Sequence, residues 1–208
     1  TGALPTLSPE AEARFAQQRL QMVEKDIRGR DVTDERVLAA MAKIPRHRFV
    51  PESQRDNAYA DRPLPIGFWQ TISQPYIVGI MTQLLDLKEG DKVLEVGTGS
   101  GYQAAVLAEL TPHVYTIEII EGLAEQAKAT LKELGYDRVM VTVGDGYYGW
   151  EEHAPYDAIL VTCALVLPVG PPGLYQSLWK IERRGDQILS KNIMGVIFVP
   201  MTGVAEKG

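Results

Sequence analysis

Three groups of residues in this 208-residue chain have types and spacings suited to chemistry. The first is Val93-Leu-Glu-Val-Gly-Thr-Gly-Ser-Gly-Tyr102, where an apolar run carrying Glu95 passes into Gly97, Gly99 and Gly101, with Thr98 and Ser100 between them. Glycine has no Cβ, so such a loop turns tightly and lets a ligand approach its backbone, as a nucleotide-cradling turn must. The second group is acidic. Glu118 follows Gly101 by seventeen positions, where a carboxylate accepts hydrogen bonds from ribose hydroxyls, and Gly144-Asp145-Gly146 sets a carboxylate where an adenine edge would lie. The third is Gln70-Thr-Ile-Ser-Gln-Pro-Tyr76, in which Ser73 offers a hydroxyl at a helix start. Two readings of Ser73 stand together: it orients an anionic group, or it caps the following helix, with Pro75 in the first turn.

Residues so far apart in sequence need a frame that gathers them. From Lys92 onward strands and helices alternate, which predicts an α/β fold with a mostly parallel, doubly wound sheet. Strands are expected at Val93–Val96, Val114–Glu118, Val139–Val143 and Ala158–Thr162, with helices at Tyr102–Leu110 and Glu121–Leu134, the latter closed by Gly135. Ligands of such sheets sit beyond the carboxyl ends of the strands, so Glu95, the three glycines, Glu118 and Asp145 fall along one edge. The tail reads as strands at Leu165–Val169, Tyr175–Arg184 and Val196–Met201, with almost no helix between them.

Upstream, Ser8-Pro9-Glu10 opens a helix that holds Leu20, Val23 and Ile27 on one face up to Gly29. Thr33-Asp34-Glu35 opens a shorter one carrying Val37, Leu38 and Met41, halted before Pro45. Pro51, Pro63, Pro65 and Gly67 mark a loop-rich stretch, and Tyr76–Leu87 reads as a helix. The chain therefore divides into an N-terminal helical appendage, residues 1–75, and a cofactor-binding α/β part, residues 76–208. One junction is too short. Only Cys163-Ala164 separate two expected strands, whereas a parallel crossover takes about a dozen residues and a two-residue hairpin wants a glycine-bearing pair. A helix-bearing segment is expected to be missing between residues 164 and 165.

Composition narrows the function classes. A formal charge of −6 without a long basic run argues against nucleic acid as a partner. No apolar run approaches the ~18 residues that cross a bilayer, so no membrane association is expected. The single cysteine, Cys163, ends an apolar run and reads as a buried, inert thiol; it makes no internal disulfide, in keeping with a cytoplasmic location. His47, His113 and His153 lie far apart without ligand spacing, and no metal is expected. The chain begins at Thr1 rather than Met, which points to preceding residues, and no signal-like stretch remains.

The glycine spacing separates two cofactor classes. A dinucleotide fingerprint is G-x-G-x-x-G, but here the third glycine comes one position early and Tyr102 takes the place of the last, which disfavours a nicotinamide oxidoreductase. The E-x-G-x-G-x-G form resembles motif I of the Rossmann-like, class I S-adenosylmethionine-dependent methyltransferases. After the fourth strand, Thr162-Cys-Ala164 stands where enzymes acting on nucleobase amines carry Asn/Asp-Pro-Pro-Tyr/Phe, which weakens that substrate class.

Further strings are more specific. Ile44-Pro-Arg-His-Arg-Phe-Val-Pro51, Asp61-Arg-Pro-Leu-Pro-Ile-Gly67, Gln70-Thr-Ile-Ser-Gln-Pro-Tyr76, Val114-Tyr-Thr-Ile-Glu118, Ala154-Pro-Tyr-Asp157 and Phe198-Val-Pro-Met-Thr202 resemble the protein-L-isoaspartate O-methyltransferases, from about residue 20 to 203. The resemblance implies methyl transfer from S-adenosylmethionine to the free α-carboxylate of L-isoaspartyl residues in damaged proteins and peptides. The ester then closes to a succinimide whose hydrolysis returns some normal aspartate. It implies Ser73 as the active-site residue, with Thr71, Ile72 and Gln74 lining the pocket and Thr202 closing over the cofactor. The cofactor set is then Glu95, Gly97, Thr98, Gly99, Ser100, Gly101, Glu118, Asp145 and Gly146, in a monomer whose last strands turn antiparallel. Phe68-Trp69 departs from the pattern, since the family has a small or aromatic residue and then glycine before this glutamine. A cofactor-binding protein without turnover stays open beside the enzyme, on the short link after Ala164.

Overall fold

The computed structural model describes residues 7–162, 176–184 and 187–196. Helix α1 (Pro9–Met22) starts where the sequence calls for it, with Ser8 Oγ accepting from Ala11 N–H at 3.2 Å, and runs on into a wider π-helical turn, Val23–Arg28. Helix α2 (Glu35–Lys43) is capped in the same way by Asp34, which accepts from Arg36 N–H at 2.8 Å. Arg36 then donates to the carbonyls of Leu87 and Leu110, fastening this segment to two later loops.

The stretch read as loop contains a hairpin. Strand β1 (Leu64–Gly67) pairs antiparallel with β2 (Gln70–Ile72), in the register Leu64↔Ile72 and Pro65↔Thr71. Its turn residues, Phe68 and Trp69, both have positive φ, 51° and 60°. That sign pattern belongs to a type I′ hairpin, where Asn-Gly is the usual pair, so the turn was hidden by its own chemistry. Each non-glycine residue held there costs about 1–2 kcal/mol.

Helix α3 (Pro75–Leu85) follows, and its cap corrects one reading of Ser73. Gln74 is the N-cap and its side chain bonds no helix N–H; Asp61 Oδ1 accepts from Tyr76 N–H at 3.0 Å instead, while Asp61 Oδ2 accepts from Gln74 Nε2 at 2.7 Å. A carboxylate from the preceding loop is the stronger acceptor, so Ser73 is left out of the cap.

The sheet is built from β3 (Lys92–Val96), β4 (His113–Glu118), β5 (Met140–Val143) and β6 (Ala158–Val161), all parallel, in the order β5-β4-β3-β6. Helix α4 (Tyr102–Ala108) follows β3 and α5 (Glu121–Glu133) follows β4, both within a residue or two of expectation. Being central, β3 is buried at four of its five residues. Its alternation sends Val93 and Glu95 to one face and Leu94 and Val96 to the other. The first face meets the helices in a core that runs from Phe15 and Ile27 through Ile72 and Tyr76 to Val93, Leu107 and Leu131. That core passes through the expected boundary at residues 75 and 76. On the second face Leu94, Val96 and Ile117 pack with Tyr115, Trp150, Tyr156 and Val161, brought there by short 3-10 turns at Gly146–Tyr148 and Glu151–His153.

The tail departs from expectation. Strands β7 (Gln176–Arg184) and β8 (Gln187–Val196) form an antiparallel hairpin; β7 matches the expected Tyr175–Arg184, and β8 is a strand the sequence reading does not contain. Ser190, Lys191 and Asn192 sit inside β8, and a bulge at Leu178/Trp179 breaks the alternation that would have revealed it. The expected strand Leu165–Val169, Cys163, the 164–165 junction, the expected strand Val196–Met201 beyond its first residue, and Thr202 lie outside the described residues.

Candidate active site

A cleft of about 780 Å³, counting its open mouth, lies beyond the carboxyl ends of β3 and β4 and is walled on the other side by β2. Its lining brings together Thr71, Ile72, Ser73, Glu95, Gly97, Thr98, Gly99, Ser100, Glu118 and Gly146, which the sequence singled out separately. Gln70, Val78, Tyr102, Gln103, Ile120, Leu123 and Thr162 join them. These are apolar or neutral residues that only the turn of the chain brings to the site. Gln70 and Tyr102 stand at the ends of strings the sequence singled out, whereas no motif signals Val78, Gln103, Ile120, Leu123 or Thr162 as site residues.

Local bonding explains the loop's shape. Gly97 has φ 97°, and Thr162 Oγ1 donates to the Gly97 and Val96 carbonyls at 2.5 and 3.1 Å. Glu118 Oε2 accepts from Gly99 N–H at 2.8 Å and Oε1 from Ile120 N–H at 3.0 Å. Each carboxylate oxygen has a second acceptor site, so Glu118 ties the loop and still has capacity for ribose hydroxyls.

Glu95 is fully buried beneath the loop. Its Oε2 accepts from Thr116 Oγ1 at 2.7 Å, and Thr116 Oγ1 lies 2.6 Å from Thr98 Oγ1. Its Oε1 has no hydrogen-bond partner among the described residues. Burial, with the neighbouring Glu118 charge adding to it, pushes this carboxyl up to about 8, against the bond from Thr116.

Three expected site residues are placed beside the cleft rather than on its wall. The Gln74 side chain is held by Asp61. Asp145 Oδ1 accepts from Tyr147 N–H at 2.9 Å and caps its own 3-10 turn. Gly101, at φ 85°, is the N-cap of α4, and a Cβ there would lie 3.3 Å from Ala127 Cβ and Leu131 Cγ, so it serves the packing of α4 on α5.

The second wall is positioned by a buried cation. Arg46 Nε donates to the Ala58 carbonyl at 2.8 Å and Nη2 to the Ser73 carbonyl at 2.7 Å, with its guanidinium carbon 4.9 Å from the Tyr102 ring centroid. Desolvation lowers it to about 10, still charged at neutral pH. Next to it, His47 stacks on Phe15 at 4.3 Å with Nδ1 2.8 Å from Tyr59 Oη, and burial pulls it down to about 4. Ser73 Oγ makes no hydrogen bond among the described residues, although the Ser73 backbone is held.

Among the described residues, the lining of the cleft includes two carboxyl groups, Glu95 and Glu118, and no Lys or Arg, and Glu95 at about 8 keeps its proton at neutral pH.

The family model of the protein-L-isoaspartate(D-aspartate) O-methyltransferases matches residues 17–206. The chain belongs to that family. A protein-L-isoaspartate O-methyltransferase of Opitutus terrae is 54% identical over 202 residues, covering 89% of this chain and 87% of its own, and one of Polaromonas sp. is 55% identical over 193 residues, covering 84% and 92%. A relative of Shewanella sediminis is 48% identical over 222 positions, 14 more than the 208 residues here, so it carries residues that this chain lacks. Among solved structures, a protein-L-isoaspartate O-methyltransferase superposes with a TM-score of 0.77 at 24% identity, over 90% of this chain and 66% of that one. A Plasmodium falciparum protein described as a putative member, in complex with S-adenosyl-L-homocysteine, superposes at 0.72 with 22% identity, over 88% and 98%. Both share the Rossmann-like fold. Among the described residues, no helix is long and apolar enough to cross a membrane, and no group of three or more His, Cys, Asp or Glu is arranged to hold a metal.

Proposed function

We propose that the chain methylates the free α-carboxylate of L-isoaspartyl residues in damaged proteins and peptides, with S-adenosylmethionine as donor, so that the ester closes to a succinimide and repair begins. The observation that carries this reading is that Ser73, with its hydroxyl uncommitted, meets the acid-lined glycine loop in one cleft. When bound, S-adenosylmethionine supplies a methyl group already activated by its sulfonium charge. The protein's task is then orientation and exclusion of water. Ser73 Oγ–H donates to one oxygen of the acceptor carboxylate and leaves the other free to attack; no deprotonated nucleophile on the enzyme is required. Gly97 to Gly101 and Glu118 hold the nucleoside, Glu95 faces the cationic end, and Ile72, Val78 and Leu123 keep the cleft apolar around them. Thr71, Gln74, Asp145, Gly146 and Thr202 complete the proposed cofactor set.

The N-terminal part, residues 1–75, is the acceptor side of this reading. The enzyme acts as a monomer in the cytoplasm, in keeping with a chain whose single cysteine makes no internal disulfide. Paired peptides test the reading. Methyl ester, or methanol released from it, is expected with an isoaspartyl peptide and not with its aspartyl counterpart; equal activity on both overturns it.

A further inference from the structure

The turn of the β1–β2 hairpin divides its two aromatic residues between different tasks. Phe68 packs over the start of α5 so closely that its ring leaves no room for a Cβ at Gly122, which anchors the hairpin beside the cleft. Trp69 is 98% exposed, with a φ of 60° that glycine adopts freely and a large side chain does not. Trp69 therefore buries nothing for the fold and strains the turn that presents it. Backbone strain without local benefit marks a position whose side chain is used elsewhere.

The chain leads directly from Trp69 into the site. Gln70, Thr71, Ile72 and Ser73 follow it along the cleft wall, so Trp69 stands four residues from Ser73 on an extended strand, a span of about 13 Å. An extended polypeptide covers that distance in about four residues. Across the strand ends, Gly146 lines the same cleft and leads into Tyr147 and Tyr148, also largely exposed, with ring centroids 5.2 Å apart. Aromatic side chains of this kind supply rigid contact area at small entropic cost.

We propose that Trp69 is a specificity residue for the acceptor, a platform on which an apolar or aromatic side chain of the extended substrate rests about four residues from the isoaspartyl carboxylate. This rests on the reading that the acceptor is a polypeptide carrying isoaspartate. It leaves the chemistry at Ser73 unchanged and acts on which peptides are held there.

The test compares the wild-type enzyme with Trp69→Gly, which suits the turn, on isoaspartyl peptides carrying a single Phe at each position from four before to four after the damaged residue, and on an all-Gly/Ser control. The wild type is expected to show a KM about tenfold lower for Phe near the fourth position on one side than for the control. Trp69→Gly removes that preference, holds kcat within about twofold, and raises Tm by ~2–4 °C as strain is relieved. Tryptophan emission of the wild type, with S-adenosylhomocysteine present, shifts on adding the preferred peptide, and the shift is absent in the variant. Failure of the wild type to methylate any isoaspartyl peptide would count against the assigned reaction itself. Methylation with the same KM profile in both proteins overturns the role of Trp69, as does concentration-dependent dimerisation lost in Trp69→Gly, which would make this surface a contact between copies.

Discussion

On the glycine-loop wall of the cleft, nearly every polar group is spoken for: Glu118 holds Gly99 and Ile120, Thr162 holds the Val96 and Gly97 carbonyls, and Thr116 bridges Thr98 and Glu95. On the hairpin wall, Arg46 grips only the backbone at Ser73, while the Ser73 hydroxyl and the Trp69 ring stand uncommitted. The first wall is preorganised for one ligand of fixed shape. The second presents groups to ligands that vary, as an acceptor drawn from many damaged proteins does. Preorganised sites concentrate their effect in affinity for a single molecule, whereas open ones divide it between orientation and selection.

The largest effect is expected at the rigid wall. Glu118→Ala releases two backbone N–H groups together with the proposed ribose acceptor, and cofactor Kd by calorimetry should rise about 100-fold, on the basis of ~1.5–3 kcal/mol for each bond to a charged group. An unchanged Kd would mean that the loop keeps its shape without Glu118, and the contrast between the walls would fail. Ser73→Ala should lower kcat about 10- to 100-fold with cofactor Kd unaltered, since the proposed donor to the reacting carboxylate is removed. Loss of cofactor affinity instead would move Ser73 to the other wall.

A smaller effect separates donor from product. Glu95→Gln should weaken S-adenosylmethionine more above pH 8 than below it, and the uncharged S-adenosylhomocysteine at neither, because the carboxyl raised to about 8 acts on the sulfonium as a charge only once it has lost its proton. The same residue gives a pH signature. Its folded value, about 8, lies above the ordinary 4.5, so its contribution to stability is fully present below pH 4.5 and is lost as pH rises from there to about 8. The stability difference between ligand-free wild type and Glu95→Gln in urea titrations should therefore shift by about 2–4 kcal/mol in the variant's favour across that range. His47 works in the opposite direction. Held at about 4 against an ordinary 6.5, it contributes stability above pH 6.5 that is lost as pH falls through 4, so the segment around Phe15 should be the first to open in acid by hydrogen exchange. The finest probe of the hairpin wall is Trp69→Gly, whose change is confined to acceptor preference.

Much of the rigid wall was legible in the sequence. Strand β3, the three glycines and Glu118 announce themselves because period, glycine spacing and an acid at a fixed interval are all local signals, and the family resemblance extended them to Ser73. The hairpin was not legible, since Phe68-Trp69 is poor type I′ chemistry and Pro65 reads as a breaker. Asp61 as the cap of α3 was equally hidden, because it acts across fifteen residues of loop.

By itself, then, the sequence determined the class of fold, the cofactor loop and the family, all of which rest on residues close together along the chain. Tertiary structure alone decided that Glu95 is buried with one oxygen that pairs with none of the described residues, that Gln74 and Asp145 are turned to local bonds, that Arg46 sets the backbone at Ser73, and that Trp69 stands in solvent. Burial, and the partner a polar group finds, depend on what the rest of the chain brings alongside, which no local spacing records.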